Sequence, residues 1–285
     1  MGGQPTRRDL RMSRSDNREG FIDFKGARIH FNSAGQGKAL VFVHAAIADS
    51  RMWRAQVEYF SQRYRVITFD MRGFGQTAMV ASEYNTATDL GAVMDGLGID
   101  QAVVIGCSMG GATAIDFTLH HPTRVLALVP VCAGISGFEV EVDAHTLTLL
   151  EQMDKVEKQR DFERFAELVV RYWIDGPRRK PEEVDPAVRT FVKEMLHTGF
   201  NTPAELGKYV SLKPPAADRL GEIHVPTLVL GGAEDAAEMA PYLQKLASDI
   251  PGARLHVIEK AGHLPALERP AEFNRVLDDF LKEVH

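Results

Sequence analysis

The sequence predicts an α/β fold, a mostly parallel sheet flanked by helices, and three observations predict it. Strand-like and helix-like segments alternate regularly over most of the chain. The stretch Gly106-Cys107-Ser108-Met109-Gly110 joins an apolar run suited to a buried strand, Ala102 to Ile105, to a helical segment, Gly111 to Leu119. Between Ala133 and Ile223 the strand pattern stops and amphipathic helices replace it, which marks a helical insertion.

The elements follow in order. Phe21 to Phe24 and Ala27 to Phe31 flank Lys25-Gly26 and read as a hairpin closed by a two-residue turn. Ala39 to Val43 is a buried strand, Ser50 to Phe60 a helix with Met52, Trp53 and Val57 on one face, and Tyr64 to Phe69 a strand ending at Asp70. A helix from Thr86 to Leu97 carries Leu90, Val93, Met94 and Leu97 at helical spacing. After the serine turn and its helix, Val125 to Val131 is a strand whose Pro130 marks its end or an irregularity. In the insertion, Phe162, Phe165, Ala166, Val169, Val170 and Trp173 form one helical stripe. Val188, Phe191, Val192, Met195 and Leu196 form another beyond a turn-rich loop at 176–181. The αβ rhythm resumes with the strand Pro226 to Leu230, a helix near Pro241 to Ser248, the strand Arg254 to Ile258 and a last helix from Pro270 to Val284. The expected organisation is a core of 21–132 and 224–285, a helical cap of 133–223, and a polar, arginine-rich leader of 1–20.

With 33 basic and 39 acidic residues the formal charge is −6, and no basic stripe offsets it, which argues against a nucleic-acid or anionic-membrane partner. No apolar run approaches the length that spans a bilayer. Cys107 and Cys132 are the only cysteines, both in or beside apolar runs, and they read as small buried thiols. That excludes a disulfide framework and suits a reducing compartment, so the expected location is the cytoplasm. No His/Cys cluster has metal-ligand spacing and no phosphate-cradling loop occurs, so neither a metal nor an organic cofactor is expected.

Ser108 carries the chemistry. A serine between glycines, entered from a strand and left by a helix, sits on a sharp turn with its hydroxyl above the sheet, and the Met109 N–H at the helix start can face a developing oxyanion. Such a hydroxyl needs a histidine to take its proton and a carboxylate to fix that histidine's tautomer. Among ten histidines His263 stands out, because Ala261-Gly262-His263-Leu264-Pro265 follows a strand and precedes a helix. Asp235, in Gly231-Gly232-Ala233-Glu234-Asp235, projects from another strand end; spacing favours it over its neighbour Glu234.

Ser108, Asp235 and His263 in this order, with the glycine pattern at 106–110, resemble the α/β-hydrolase fold family over nearly everything from Phe21 onward. Val43-His44-Ala45-Ala46 is similar to the family's His-Gly-x turn, and Asp70-Met71-Arg72-Gly73-Phe74-Gly75 to its Asp-x-Arg-Gly-x-Gly turn. The resemblance implies an eight-stranded sheet with an inserted helical cap, a catalytic triad of Ser108, Asp235 and His263, and an oxyanion hole of Ala46 and Met109. Two departures stand out: Ala45 replaces the usual glycine, and no proline follows Asp235. His44 is expected to brace the oxyanion turn and Arg72 to stabilise its own turn by an ion pair. His44 to Trp53, together with Gly-x-Ser-Met-Gly-Gly, looks most similar to small-molecule carboxylesterases and enol-lactone hydrolases. The implied activity is hydrolysis of carboxylic esters of small or medium acyl chains, lactones included, with Ile47, Trp173 and Leu264 as candidate pocket residues. Perhydrolases and carbon–carbon bond hydrolases share the triad, and a slow hydrolytic ligand receptor is the rival from another class.

Overall fold

A computed structural model describes residues 17–200 and 207–284. Its centre is an eight-stranded sheet in the order β1-β2-β4-β3-β6-β7-β9-β10. β1 (Arg18–Phe24) and β2 (Ala27–Ala34) form the antiparallel hairpin, and Lys25 and Gly26 both take positive φ, 45° and 79°, as a two-residue turn of this hand requires. β2 pairs antiparallel with β4 (Arg65–Phe69); from there β3 (Ala39–Val43), β6 (Ala102–Cys107), β7 (Val125–Val131), β9 (Leu228–Gly232) and β10 (Arg254–Ile258) run parallel. β1 starts at Arg18, inside the segment expected to be a leader, and Glu19 reaches back to His30 on β2 at 2.9 Å; the rest of that segment, 1–16, lies outside the described residues.

The strands alternate between two apolar layers, as a sheet covered on both faces must. Leu40 and Phe42 of β3 and Val103, Ile105 and Cys107 of β6 face the layer covered by α1 (Arg54–Phe60), α9 (Pro270–Leu281) and part of the insertion. Val41, Val43, Ala102 and Val104 face the other layer, under α2 (Thr86–Gly96), α3 (Met109–His120) and α7 (Met239–Asp249). Trp53 is fully buried between the Phe42 and Phe273 rings, so Trp53→Ala would cost about 3–5 kcal/mol. The helix expected over 50–60 is split: Asp49 caps a 3₁₀ turn over Ser50–Trp53 by accepting from the Arg51 N–H, and α1 begins only at Arg54.

Between β7 and β9 the chain forms α4 (Ala144–Lys158), α5 (Phe162–Val170), a π-helical turn over Arg171–Asp175, and α6 (Pro186–Phe200). Phe162 and Phe165 pack on Phe200 with ring centroids 5.2 Å apart, so the first predicted stripe joins α5 to α6. A second, two-stranded parallel sheet of β5 (Ser82–Tyr84) and β8 (Gly207–Tyr209) was not foreseen by the pattern. α8 (Pro265–Glu268) precedes α9. Among the described residues no helix is long and apolar enough to cross a membrane.

The chain leaves β3 toward β4 on one side, and β6 lies on its other side. The strand order therefore reverses between β3 and β6, where open α/β sheets leave a crevice at their carboxyl ends. Ser108 follows β6 and Ala46 follows β3 at that place.

Candidate active site

The turn after β6 is strained and crowded. Ser108 holds φ 54° and ψ −116°, a conformation a non-glycine residue keeps only where its surroundings dictate it. Its N–H donates to Val131 O at 2.8 Å and its carbonyl accepts from the Ala112 N–H at 3.0 Å, so the turn is tied to β7 and to α3. A Cβ on Gly106 would collide with the Gly110 carbonyl, and one on Gly110 with the Val43 and His44 carbonyls. Both glycines are thus needed for the helix start to press against the end of β3. Ser108 and Met109 stay partly exposed there, and Ala46 is exposed beside buried neighbours.

The turn that carries Ala46 is braced from below. His44 is fully buried; its Nδ1 donates to Ala45 O at 2.8 Å and its Nε2 accepts from the Met71 N–H at 2.9 Å. Burial pushes the imidazole below its usual range, which matches a neutral ring with one donor and one acceptor. Ala45 is not among the described residues with positive φ, so the turn accepts alanine where the family has glycine. Arg72 is buried and grips both oxygens of Asp89 at 2.8 and 2.9 Å and Phe24 O at 3.0 Å. It is an internal ion-pair partner, in the role its sequence context implied.

His263 and Asp235 meet. Nδ1 of His263 donates to the two Asp235 oxygens at 3.0 and 2.9 Å, and both residues are buried. Without a proline, the Asp235 loop closes on itself: the Ala236 N–H donates to Asp235 Oδ1 at 2.8 Å and the Met239 N–H to Ala236 O at 2.9 Å. Glu234, the competing acid, turns outward to Arg178 at 3.0 Å. The serine and histidine turns abut, because the Cys107 thiol, next to Ser108, donates to His263 O at 3.5 Å.

The insertion grips the histidine turn from the other side. The His263 N–H donates to Trp173 O at 3.0 Å, and the Trp173 ring lies 4.1 Å from the imidazole, tilted by 36°. Trp173 belongs to the π-helical turn, a distortion that recurs at functional sites. A Cβ on Gly262 would come 2.9 Å from Trp173 O and 2.7 Å from Ile174 O, so only glycine lets these segments approach. Glu268 accepts from the Gly262 N–H at 2.9 Å and pairs with Arg179 at 2.8 Å, and Arg179 also donates to Asp175 O at 3.0 Å. Burial pushes the Glu268 carboxyl up to about 7 against the pull of Arg179 and the Gly262 N–H. A cleft of about 480 Å³ behind this turn is lined by Arg179, Val188, Glu234, Lys260 and Glu268 among others.

Of the candidate pocket residues, Ile47 is nearly buried and Trp173 partly exposed, whereas Leu264 is 0 % exposed. Leu264 is a correction: it packs in the core at the start of α8 and does not face open space. Cys132, Glu268 and Arg179 were missed. Cys132 carried one usable signal, since it too follows a strand end beside the serine strand. Donor atoms of Cys132, Asp235 and His263 lie within 4.8 Å of one another, the spacing of a possible metal site, but His263 already donates to Asp235 and burial drives the Cys132 thiol well up in pKa, which opposes metal ligation.

A family model described as alpha/beta hydrolase fold matches residues 38–270. The chain is 31% identical over 287 aligned positions to a 2-hydroxy-6-oxo-6-phenylhexa-2,4-dienoate hydrolase of Burkholderia cepacia, covering 93% of this chain and 94% of that one. Among solved structures it is similar to Est816, described as an N-acyl homoserine lactone degrading enzyme (29% identity, TM-score 0.70, 91% and 99% of the two chains). A thermophilic esterase from Thermogutta terrifontis shares the fold at 24% identity, with a TM-score of 0.76 over 95% and 99% of the chains.

Proposed function

This chain belongs to the α/β-hydrolase fold family, and from that premise we propose that it is a serine hydrolase cleaving carboxylic esters of small or medium acyl chains, lactones included. The observation that carries the reading is the bond of His263 Nδ1 to both Asp235 oxygens beside the strained Ser108 turn. With its proton on Nδ1, the imidazole presents Nε2 as a base. Nε2 takes the Ser108 proton as Oγ attacks the ester carbonyl, and the N–H groups of Ala46 and Met109 receive the oxyanion. The imidazolium then returns its proton to the departing alcohol. Water, deprotonated by the same Nε2, attacks the acyl group and releases the acid and Ser108. Residues 133–223 act as a cap over a core of 21–132 and 224–285, with Ile47 and Trp173 bordering the acyl site.

One observation favours a second reading: the Burkholderia cepacia relative is named for a dienoate, which carries a carboxylate and is cut at a carbon–carbon bond. Such a substrate calls for a cation at the site. In the insertion Arg171, Arg178, Arg179, Arg189 and Lys193 each pair with a protein carboxylate, so an anionic substrate would have to compete with those pairs for them.

The test is a panel of p-nitrophenyl esters of increasing acyl length, a γ-lactone and 2-hydroxy-6-oxo-6-phenylhexa-2,4-dienoate, each with wild type and Ser108→Ala. Steady turnover of esters, abolished in the variant, supports the proposal. Turnover of the dienoate alone replaces it with the carbon–carbon reading, and a single burst without turnover replaces it with a receptor.

A further inference from the structure

We infer that Arg179 of the insertion is a positioning residue for His263, its guanidinium holding the Gly262 N–H through Glu268 and the His263 N–H through the π-helical turn; this rests on the triad reading above. The guanidinium meets four acceptors on three segments. Nη2 donates to Glu268 Oε2 at 2.8 Å and to Ile174 O, Nε to Asp175 O at 3.0 Å, and Nη1 to Lys260 O at 3.1 Å. Three carbonyls and a carboxylate set around one planar fork suit arginine and no other side chain. The Arg179 side chain is 12 % exposed and that of Glu268 4 %, so this is not one of the solvated surface pairs that contribute little. Arg179 is itself fixed by Arg171, whose Nη1 donates to Arg179 O at 2.5 Å.

Each arm ends on the turn that carries the base. Glu268 receives Arg179 on Oε2 and the Gly262 N–H on Oε1 at 2.9 Å, so the carboxylate passes the position of the guanidinium to the residue before His263. The bonds to Ile174 O and Asp175 O hold the last residues of the π-helical turn, and Trp173 O, one residue earlier, accepts from the His263 N–H at 3.0 Å while the Trp173 ring lies on the imidazole. Asp235 holds the ring at Nδ1, and Arg179 holds the backbone behind it. Removing the guanidinium frees these segments together and lets the base shift against Ser108, and a shift of about 1 Å costs about 100-fold in rate. The Glu268 carboxyl, pushed up to about 7 by burial even beside Arg179, then takes a proton and does not stand as a bare buried charge, so the turn stays folded while it loses its clamp.

The experiment measures kcat and KM for p-nitrophenyl butyrate, with tryptophan emission and a thermal melt, for the full-length wild type, Arg179→Met, Arg179→Lys, Glu268→Gln, the double variant Arg179→Met/Glu268→Gln, Lys193→Met and Ser108→Ala. The expected result is a kcat lower by about 100-fold in Arg179→Met, with KM within about twofold. Glu268→Gln should lose part of the same kcat, because glutamine has one oxygen where Glu268 serves Arg179 and Gly262 with two, and the double variant should lose no more than Arg179→Met, since both act along one path. Arg179→Lys keeps a charge opposite Glu268 but not the fork, so a loss of about 10-fold should remain, and this variant carries the test by itself if the methionine variant folds poorly. The chain has two tryptophans and Trp53 is fully buried in the core, so a red shift of emission in Arg179→Met reports Trp173 leaving the imidazole. Lys193→Met breaks an ion pair between α6 and α5 within the insertion and should change kcat by less than about twofold. An Arg179→Met kcat within about twofold of wild type, a loss carried by KM alone, or an equal loss in Lys193→Met overturns the role of Arg179. Cleavage that survives Ser108→Ala instead overturns the triad reading beneath it.

Discussion

Asp235→Asn probes how the acid is held. The Ala236 N–H donates to Oδ1 at 2.8 Å, so an asparagine at this site keeps its carbonyl oxygen there and puts its NH₂ in place of Oδ2. That group then faces His263 Nδ1, which Oδ2 now approaches at 2.9 Å. Two donors repel at that distance, and the one acceptor left, Oδ1 at 3.0 Å, is shared with the Ala236 N–H, so the imidazole shifts its proton to Nε2 and presents Nδ1 as the acceptor. An Nε2–H cannot take the Ser108 proton. The geometry survives and the base is lost, a change that lowers kcat by about 10⁴ in the general Ser-His-Asp template, or about 5.4 kcal/mol of transition-state stabilisation. The assay is kcat for p-nitrophenyl butyrate at pH 7.5, with a thermal melt to establish folding. Glu234→Gln serves as comparison, because Glu234 pairs only with exposed Arg178 in this region and should change kcat by less than about twofold. An asparagine variant retaining a tenth of the wild-type kcat, or a glutamine variant that loses more than the asparagine one, refutes the reasoning.

Arg72→Met leaves Asp89 as an unpaired buried carboxylate and frees the Phe24 carbonyl, so the urea unfolding free energy should fall by about 3–5 kcal/mol; a drop below about 1 kcal/mol contradicts the importance given to this pair. His44 has its pKa lowered by burial, so the unfolded chain takes up a proton below about pH 6.5 that the folded chain refuses, and this contribution to stability is present above that pH and lost as the pH falls. Urea midpoints at pH 7.5 and 5.0 should therefore lie farther apart for wild type than for His44→Asn; equal separations contradict it. Gly106→Ala drives a methyl into the Gly110 carbonyl, and its ester turnover should fall at least about 100-fold, a displacement of the reacting groups read as kcat on p-nitrophenyl butyrate.

Much of the site was legible in the sequence because Ser108, Asp235 and His263 each follow an apolar strand, and parallel strands bring their carboxyl ends to one edge. His44 and Arg72 were legible as braces through the family resemblance, His44 just past β3 beside the serine strand and Arg72 past β4, one strand further out. What escaped was whatever depended on contacts between distant segments. Cys132 read as an apolar filler, since nothing at position 132 announces that residue 235 lies against it. β5 and β8 are three residues each, too short for any period to register, and they pair across more than 120 positions. α4 exposes Leu147 and Leu150 instead of burying a clean stripe, so its pattern is weak. The stripe through Trp173 was read as continuous helix, yet the chain widens to a π-helical turn there, from which Trp173 O accepts the His263 N–H.

The central claim is that Ser108 accepts the acyl group. Mixing the full-length protein with p-nitrophenyl butyrate, quenching in acid within the first turnovers and measuring the mass of its peptides tests that claim most directly. The account predicts a butyryl increment on the peptide that contains Ser108 and none in Ser108→Ala, whose turnover should be reduced to a residual level. A butyryl group on any other residue, or undiminished turnover in the alanine variant, would contradict it.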